Sequence, residues 1–273
     1  MMEIENPMAT AMYEAASRYR KEQPDRSYLG MSIAGDPCRR KIWYQFRGFT
    51  PKAIDGRAQM IFSLGSAVEQ EVLRWLKAAG YHLRDEQEEF TLLKGFVRGH
   101  CDGVIDDVKG TRPHILEIKS ASATRFKMFK TSGIAAVSPV YAAQLQLYMG
   151  CSGYERGVWV VMNKDNCELY IERAHFDKKT YLDLQERCAA IISSDDPPEK
   201  AYQEGARECS MCPYEGHCWH SPYVQETPTC GTCAFCRFNE LTSHCDQYDH
   251  DITKWGMSCP KWVFRDGVDR VPF

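Results

Sequence analysis

The sequence predicts an α/β fold in which a central mixed sheet is flanked by helices. Three observations lead to this prediction. Apolar residues recur at helical spacing over 59–79, group as strands between 88 and 120, and then pass through a second helix, two more strands and a long helix. The order β-β-β-α-β-β-α with a helix in front is typical of an α/β sandwich around a mixed sheet.

Each element has its own signal. A helix is expected over 6–21, and Pro37 is expected to open another that continues through Phe46. The clearest amphipathic helix covers 59–79, with Leu64, Val68, Val72 and Trp75 at helical spacing. Strands are predicted at 88–93, 95–106, 114–120, 154–163 and 167–176, and the remaining helices at 139–151 and 177–194.

Composition excludes several classes of protein. The 273 residues carry a net charge of −3, so any nucleic-acid contact has to use a local basic stripe and not an overall basic field. No apolar run is long enough to span a bilayer, there is no signal-peptide pattern, and a cytoplasmic location without membrane contact is expected. The G-x-x-x-x-G-K-[ST] pattern is missing, which excludes a P-loop motor.

Two neighbouring strands carry the residues with the clearest chemistry. Asp102 lies on one strand, and Glu117 and Lys119 lie two apart on the next, so the latter pair shares a face. A hairpin of the two strands would bring Asp102 beside that pair and form a site for a hard divalent cation, with the lysine placed to orient or deprotonate a metal-bound water. The alternative is a surface hairpin with solvated charges.

Other segments could complete such a site. Glu69 lies at the edge of the 59–79 apolar stripe and could supply a third carboxylate, although a helical glutamate is normally just an exposed helix former. Gln144 and Tyr148 are four apart and share a helix face. The segment TRFKMFK suits a DNA strand through Arg125, Lys127 and Lys130, with Phe126 and Phe129 stacking on bases; the alternative is an amphipathic helix with its aromatic rings in the core.

Three motifs together resemble the PD-(D/E)XK nuclease superfamily, in particular its RecB-like branch, which includes the CRISPR-adaptation exonucleases. They are G-H-C-D-G at 99–103, L-E-I-K at 116–119 and Q-x-x-x-Y at 144–148. The proline of the family name is absent, and the G-S-A-V-E form around Glu69 looks like that of viral recombination exonucleases. The resemblance implies a restriction-endonuclease-like core and a Mg²⁺- or Mn²⁺-dependent DNA exonuclease of recombination, repair or phage DNA processing.

The same resemblance assigns roles to residues. Those implied as catalytic are Asp102, Glu117, Lys119, Gln144 and Tyr148. Those implied as ligands of Mg²⁺ or Mn²⁺ are Glu69, Asp102, Glu117 and the Ile118 carbonyl. The alternative functions are a catalytically silent adaptor that binds DNA or protein, and a structure- or sequence-specific endonuclease.

Thirteen cysteines in a reducing compartment indicate metal and not disulfides. The first group resembles the split site of iron–sulfur relatives and implies a [4Fe–4S] cluster, although four thiolates also suit zinc: Cys38, Cys209, Cys212 and Cys218. A second group in the tail fits a closed zinc site and leaves Cys236 over: Cys230, Cys233, Cys245 and Cys259. The alternative for the tail is free surface thiols.

These signals divide the chain into three parts. Residues 1–31 are predicted as a helical segment, 32–220 as the nuclease domain and 221–273 as a cysteine-rich, zinc-binding tail. The expected partners are DNA with a free end or a single-stranded region and a recombination or CRISPR-adaptation protein.

Overall fold

A five-stranded mixed sheet forms the centre of the computed structural model, which describes residues 6–21, 28–106, 112–220, 229–239, 242–252, 259–261 and 263. The helices are α1 (Pro7–Lys21), α2 (Arg39–Arg47), α3 (Gly56–Ala78), α4 (Ala123–Ser132), α5 (Ile134–Val137), α6 (Pro139–Ser152), α7 (Lys178–Ser193), α8 (Arg207–Ser210) and α9 (Glu215–Trp219). The strands are β1 (Leu29–Gly30), β2 (Leu83–Arg84), β3 (Glu89–Leu92), β4 (Val97–His100), β5 (Gly103–Asp106), β6 (Pro113–Ala121), β7 (Arg156–Asn163), β8 (Leu169–His175), β9 (Cys236–Asn239), β10 (Thr242–Cys245) and β11 (His250–Ile252).

The central sheet has the strand order β2-β5-β6-β7-β8, and the predicted α/β class with a mixed sheet is confirmed. Strands β6 and β7 are parallel, whereas the other neighbours are antiparallel. A parallel pair needs a long crossover, and α4, α5 and α6 provide it. The expected β5–β6 hairpin is present, with Gly103 opposite Leu116; part of its connector, residues 107–111, lies outside the described residues.

One predicted strand is wrong. The run 95–106 divides into β4 and β5, which belong to different sheets, because β4 pairs with β1 and β3 in a small second sheet. Within β4, a Cβ atom at position 99 would lie 2.7 Å from the Tyr148 ring, so only glycine allows this close approach. The alternating pattern continues across the break and therefore does not reveal it.

Both faces of the central sheet are covered. On one face, Val68, Val72 and Leu73 of α3 pack against a cluster that includes Leu116 and Ile118. On the other face, α2, α6 and α7 enclose the larger core. Burying each aliphatic side chain stabilises the fold by roughly 1.5–3 kcal/mol. Because these helices cover the sheet, β6 residues that face the larger core, such as Glu117, are buried.

The basic and aromatic segment TRFKMFK forms most of helix α4, and the burial of its aromatic rings decides between the two predicted roles. Phe126 and Phe129 are 2% and 0% exposed and belong to the larger core. They are therefore closed to stacking on bases, and the alternative of an amphipathic helix is correct. Arg125, Lys127 and Lys130 remain exposed on its outer side.

The described part of the cysteine-rich tail packs on the core. Its strands β9, β10 and β11 form a small antiparallel sheet. The Phe238 ring lies 5.3 Å from the ring of Phe46 and 5.7 Å from that of Phe96, and the Arg47 guanidinium lies 4.3 Å from its centre. Across the described ranges, none of the helices has the length and apolar character needed to span a membrane.

Candidate active site

Hydrogen bonds with the β6 backbone hold Asp102 at the site. Its backbone N–H donates to the Leu116 carbonyl at 3.2 Å, and its Oδ2 accepts from the Ile118 N–H at 2.6 Å. The side chain is 8% exposed. Both bonds depend on the β5–β6 register, so the hairpin fixes the first carboxylate beside the residues that flank Ile118.

Glu117 and Lys119 project from the same face of β6, as the strand period predicts. The Lys119 ammonium pairs with Glu117 Oε1, and Glu117 is only 2% exposed. The second carboxylate oxygen, Oε2, is buried and has no hydrogen-bond partner among the described residues. Such an oxygen is costly to bury. A cation bound at this point would satisfy it.

The pKa values of three acids are raised here, chiefly by burial. Burial raises the pKa of Glu117 to about 7 against the lowering effect of Lys119, and the charges of Asp102 and Glu69 add to the rise. Burial also raises the pKa of Asp102, which the Ile118 N–H and Lys119 oppose. The pKa of Glu69 rises through burial and the charge of Asp102. A divalent cation among these carboxylates would relieve both the burial cost and the mutual repulsion.

Lys119 carries a positive charge in this environment. Burial lowers its pKa, but the charges of Glu117 and Asp102 and the hydrogen bond to Glu117 outweigh that effect, so the net pKa is raised. Lys119 is thus an ammonium that can orient a water or neutralise a phosphate oxygen.

Glu69 reaches the site from a third element. Helix α3 crosses the sheet with Gly65 against Ser120 at the end of β6, and Glu69 follows one turn later, half-buried. Its carboxylate accepts from Gln87 Nε2 at 2.9 Å. Within the described residues, no three His, Cys, Asp or Glu side chains are grouped closely enough to hold a metal ion. The acids instead bind protein donors, which an ion would replace.

Gln144 and Tyr148 of α6 form a buried brace behind the acids. Gln144 Nε2 donates to the Tyr148 hydroxyl at 3.0 Å, and that hydroxyl donates to the His100 carbonyl at 2.8 Å. Burial raises the pKa of Tyr148, and the charges of Glu117 and Asp102 raise it further. This brace fixes the end of β4 immediately before Asp102.

The cations predicted to bind DNA differ in their contacts. Lys130 is bound to Glu168 at 2.5 Å. The Arg125 guanidinium lies 5.3 Å from the centre of the Phe129 ring and 5.7 Å from that of Tyr141. Tyr141 was not among the predicted site residues, although the Lys119 Nζ lies 5.0 Å from its ring. Its position three residues before Gln144, on the same helix face, was the available signal.

The cysteines of the first group come from two distant parts of the sequence, with Cys38 before the sheet and Cys209, Cys212 and Cys218 after it. Burial raises the pKa values of Cys212 and Cys218, and Cys38 contributes to both shifts; Cys209 contributes to that of Cys212. Each of the four predicted thiols therefore lies within electrostatic reach of at least one other member of the group. They still do not meet the geometry of a metal-binding group in the described chain, so the iron–sulfur cluster has no direct support.

The four tail cysteines predicted to bind zinc differ in burial in the structure. Cys236, which the sequence left over, lies opposite Cys245 in the β9–β10 pair and is 1% exposed, whereas Cys259 is exposed. The Cys236 sulfur is 3.9 Å from Arg47 Nη1. Over the described part of the tail, no zinc group of these residues is formed.

Comparisons with known proteins add two findings. The search of curated proteins gave no significant match. Among solved structures, the chain is similar to an alkaline exonuclease from Laribacter hongkongensis, with 15% identity, 67% of this chain and 90% of that chain covered, and a TM-score of 0.45. It is also similar to a phage-related exonuclease from Haemophilus somnus 129PT, with 16% identity, 46% and 66% covered, and a TM-score of 0.36.

The match to a protein family is confined to the middle of the chain. It includes every residue from Glu69 to Tyr148 that was predicted to act in metal binding or catalysis, and it leaves out both cysteine groups. Residues 56–155 match the model of the YqaJ-like viral recombinase domain.

Proposed function

We propose that the protein is a metal-dependent DNA exonuclease of the PD-(D/E)XK type that acts in phage recombination or DNA processing. The observation that carries the proposal is the buried cluster of Asp102, Glu117 and Lys119, in which Glu117 Oε2 has no partner among the described residues. The match of residues 56–155 to a viral recombinase domain supports it.

The donor set fits Mg²⁺ or Mn²⁺, which prefer carboxylate and carbonyl oxygens. Asp102 and Glu117 would hold the ion, with the Ile118 carbonyl and Glu69 as further ligands. A bound ion of this kind polarises the scissile phosphate and stabilises the leaving oxygen. The unpartnered Glu117 oxygen is the observation that favours this fit.

The chain's own residues divide the remaining work. Lys119, as an ammonium, orients the attacking water and the phosphate oxygen beside the acids. Gln144 and Tyr148 keep the His100 carbonyl, and with it the backbone before Asp102, in place. Burial by the sheet and the two helix layers keeps bulk water from the Glu117 side chain, which strengthens each electrostatic contact.

Digestion of two DNA forms separates the candidate functions. With Mg²⁺ or Mn²⁺, an exonuclease releases nucleotides from linear DNA and leaves closed circular DNA intact. Discrete fragments from the circle would indicate the endonuclease alternative. No degradation of either form, under conditions in which the protein binds DNA, would indicate the adaptor and overturn the proposal.

A [4Fe–4S] cluster at Cys38, Cys209, Cys212 and Cys218 is a further part of the proposal. Cys38 contributes to the raised pKa values of both Cys212 and Cys218, which supports their proximity, and such a cluster would tie the two ends of the core together. Anaerobically purified protein should show a broad visible absorption band and contain iron and sulfide. Zinc alone would contradict the cluster.

The remaining predictions also await measurement. They are a zinc site at Cys230, Cys233, Cys245 and Cys259, the division of the chain at residues 31 and 220, a cytoplasmic location, and a recombination or CRISPR-adaptation partner. Metal analysis of the wild-type protein tests the zinc site: one equivalent of zinc is expected, and its absence would contradict the site.

A further inference from the structure

Tyr141 lies against two cations that come from different elements. The Lys119 Nζ on β6 is 5.0 Å from the centre of its ring, and the Arg125 Cζ on α4 is 5.7 Å from it. The ring is half-buried, and the Phe129 ring packs 6.3 Å away. An aromatic face attracts a cation at such distances, and more strongly where water is excluded.

Two side chains of the described residues lie directly against the Lys119 ammonium. One is the Glu117 carboxylate and the other is the Tyr141 ring. If Glu117 turns its charge toward a metal ion, the ring becomes the contact that keeps the ammonium in place. Tyr141 also lies one helical turn before Gln144, so the α6 face that braces the acids continues to the lysine.

Arg125 and Lys130 differ in their contacts with carboxylates among the described residues. Among the described residues, no carboxylate lies within ion-pair distance of the Arg125 guanidinium, which rests on the rings of Phe129 and Tyr141. Lys130 on the same helix is bound to Glu168. The Arg125 guanidinium is exposed, packs against aromatic rings and shares the Tyr141 ring with Lys119, so it is suited to bind a phosphate of the substrate strand.

We propose that Tyr141 is a positioning residue of the active site, whose ring holds the Lys119 ammonium toward the reacting phosphate and the Arg125 guanidinium toward a neighbouring phosphate of the same strand. This inference rests on the proposed nuclease function and names the part of the site that grips the DNA backbone.

The first test separates rate from binding at Tyr141. Y141L keeps apolar bulk but removes the aromatic face, and it should lower the cleavage rate at saturating DNA by about tenfold. Y141F keeps the face and should restore most of that rate. Thermal melting checks that both variants are folded. Equal rates for wild type and Y141L, or equal losses in Y141L and Y141F, would overturn the role of the ring.

The second test compares R125Q with a control variant on α7, where the exposed Lys179 pairs with Asp183 at 2.6 Å. R125Q and K179Q each remove one positive charge, but only R125Q should weaken DNA binding and make the slope of log affinity against log salt shallower by about 0.7–0.9, the value for one phosphate contact. The same change in slope for both variants would overturn the role of Arg125.

The outcome also shows which proposal has failed. Wild-type protein that leaves DNA intact overturns the nuclease function and, with it, the role of Tyr141. Wild-type cleavage that D102N abolishes, together with an unchanged Y141L, overturns only the inference about Tyr141.

Discussion

The carboxylate cluster and the cysteine groups reach their places by different means. Asp102 and Glu117 are fixed by the register of β5 and β6, and their burial brings like charges together. Cys38 precedes α2, and Cys209 and Cys218 lie on short helices, so packing brings these thiols near one another without a strand register to align them. The sheet thus fixes the acids in advance, whereas the thiols are placed only by packing between separate segments.

Removing one negative charge from the carboxylate cluster should have the largest effect on DNA cleavage. D102N keeps an oxygen that can accept from the Ile118 N–H but loses the negative charge that a metal ion needs. Cleavage should fall by about 10³-fold or more, because metal stabilisation of the transition state is worth several kcal/mol. The rate of nucleotide release from labelled linear DNA measures it.

D106N is the matched control, since Asp106 ends β5, the strand that begins directly after Asp102, and its carboxylate bonds to His82 at 2.8 Å. It should cleave like wild type. Equal activity in D102N and wild type, or equal losses in D102N and D106N, would place the chemistry elsewhere.

The tail should affect stability and not chemistry. F238A opens a cavity between Phe46, Phe96 and Arg47 and should lower the free energy of unfolding by about 3–5 kcal/mol. Urea denaturation measures the change, and cleavage per folded molecule should stay close to that of wild type. A loss below about 1 kcal/mol would mean that the tail does not contribute to the core as the packing implies.

The brace behind the acids should have a smaller effect. Y148F leaves the buried amide of Gln144 and the His100 carbonyl without their partner, which should cost about 1–3 kcal/mol in the free energy of unfolding. Y154F is the control. The Tyr154 hydroxyl accepts a hydrogen bond from Arg84, and Arg84 keeps its ion pair with Asp85 when that hydroxyl is removed. If both variants lose the same stability, the buried brace has no special role.

The smallest effect is expected at an exposed tail cysteine. In protein stripped of metal, C259S should change the free energy of unfolding by less than about 0.5 kcal/mol. C236S places a hydroxyl in the core and should cost about 1–3 kcal/mol. Thermal or urea unfolding of the two variants decides which cysteine is structural, and the reverse order would contradict the observed packing.

The sequence predicted what depends on local periodicity. The hairpin, the shared face of Glu117 and Lys119, and the pairing of Gln144 with Tyr148 follow from strand and helix repeats, and all are present. The division of 95–106 between two sheets did not follow, because an alternating pattern does not specify which sheet a strand joins. The contact of Cys236 with Arg47 depends on packing between distant segments and could not be predicted from spacing either. For Tyr141, the spacing from Gln144 places it on the same helix face but does not reveal its contacts with Lys119 and Arg125.

The most direct test of the metal-binding cluster is an anomalous difference map from crystals soaked in Mn²⁺. We expect a peak bonded to carboxylate oxygens of both Asp102 and Glu117, including Glu117 Oε2, which has no partner among the described residues. A map with Mn²⁺ bound elsewhere and no peak between these two residues would contradict it.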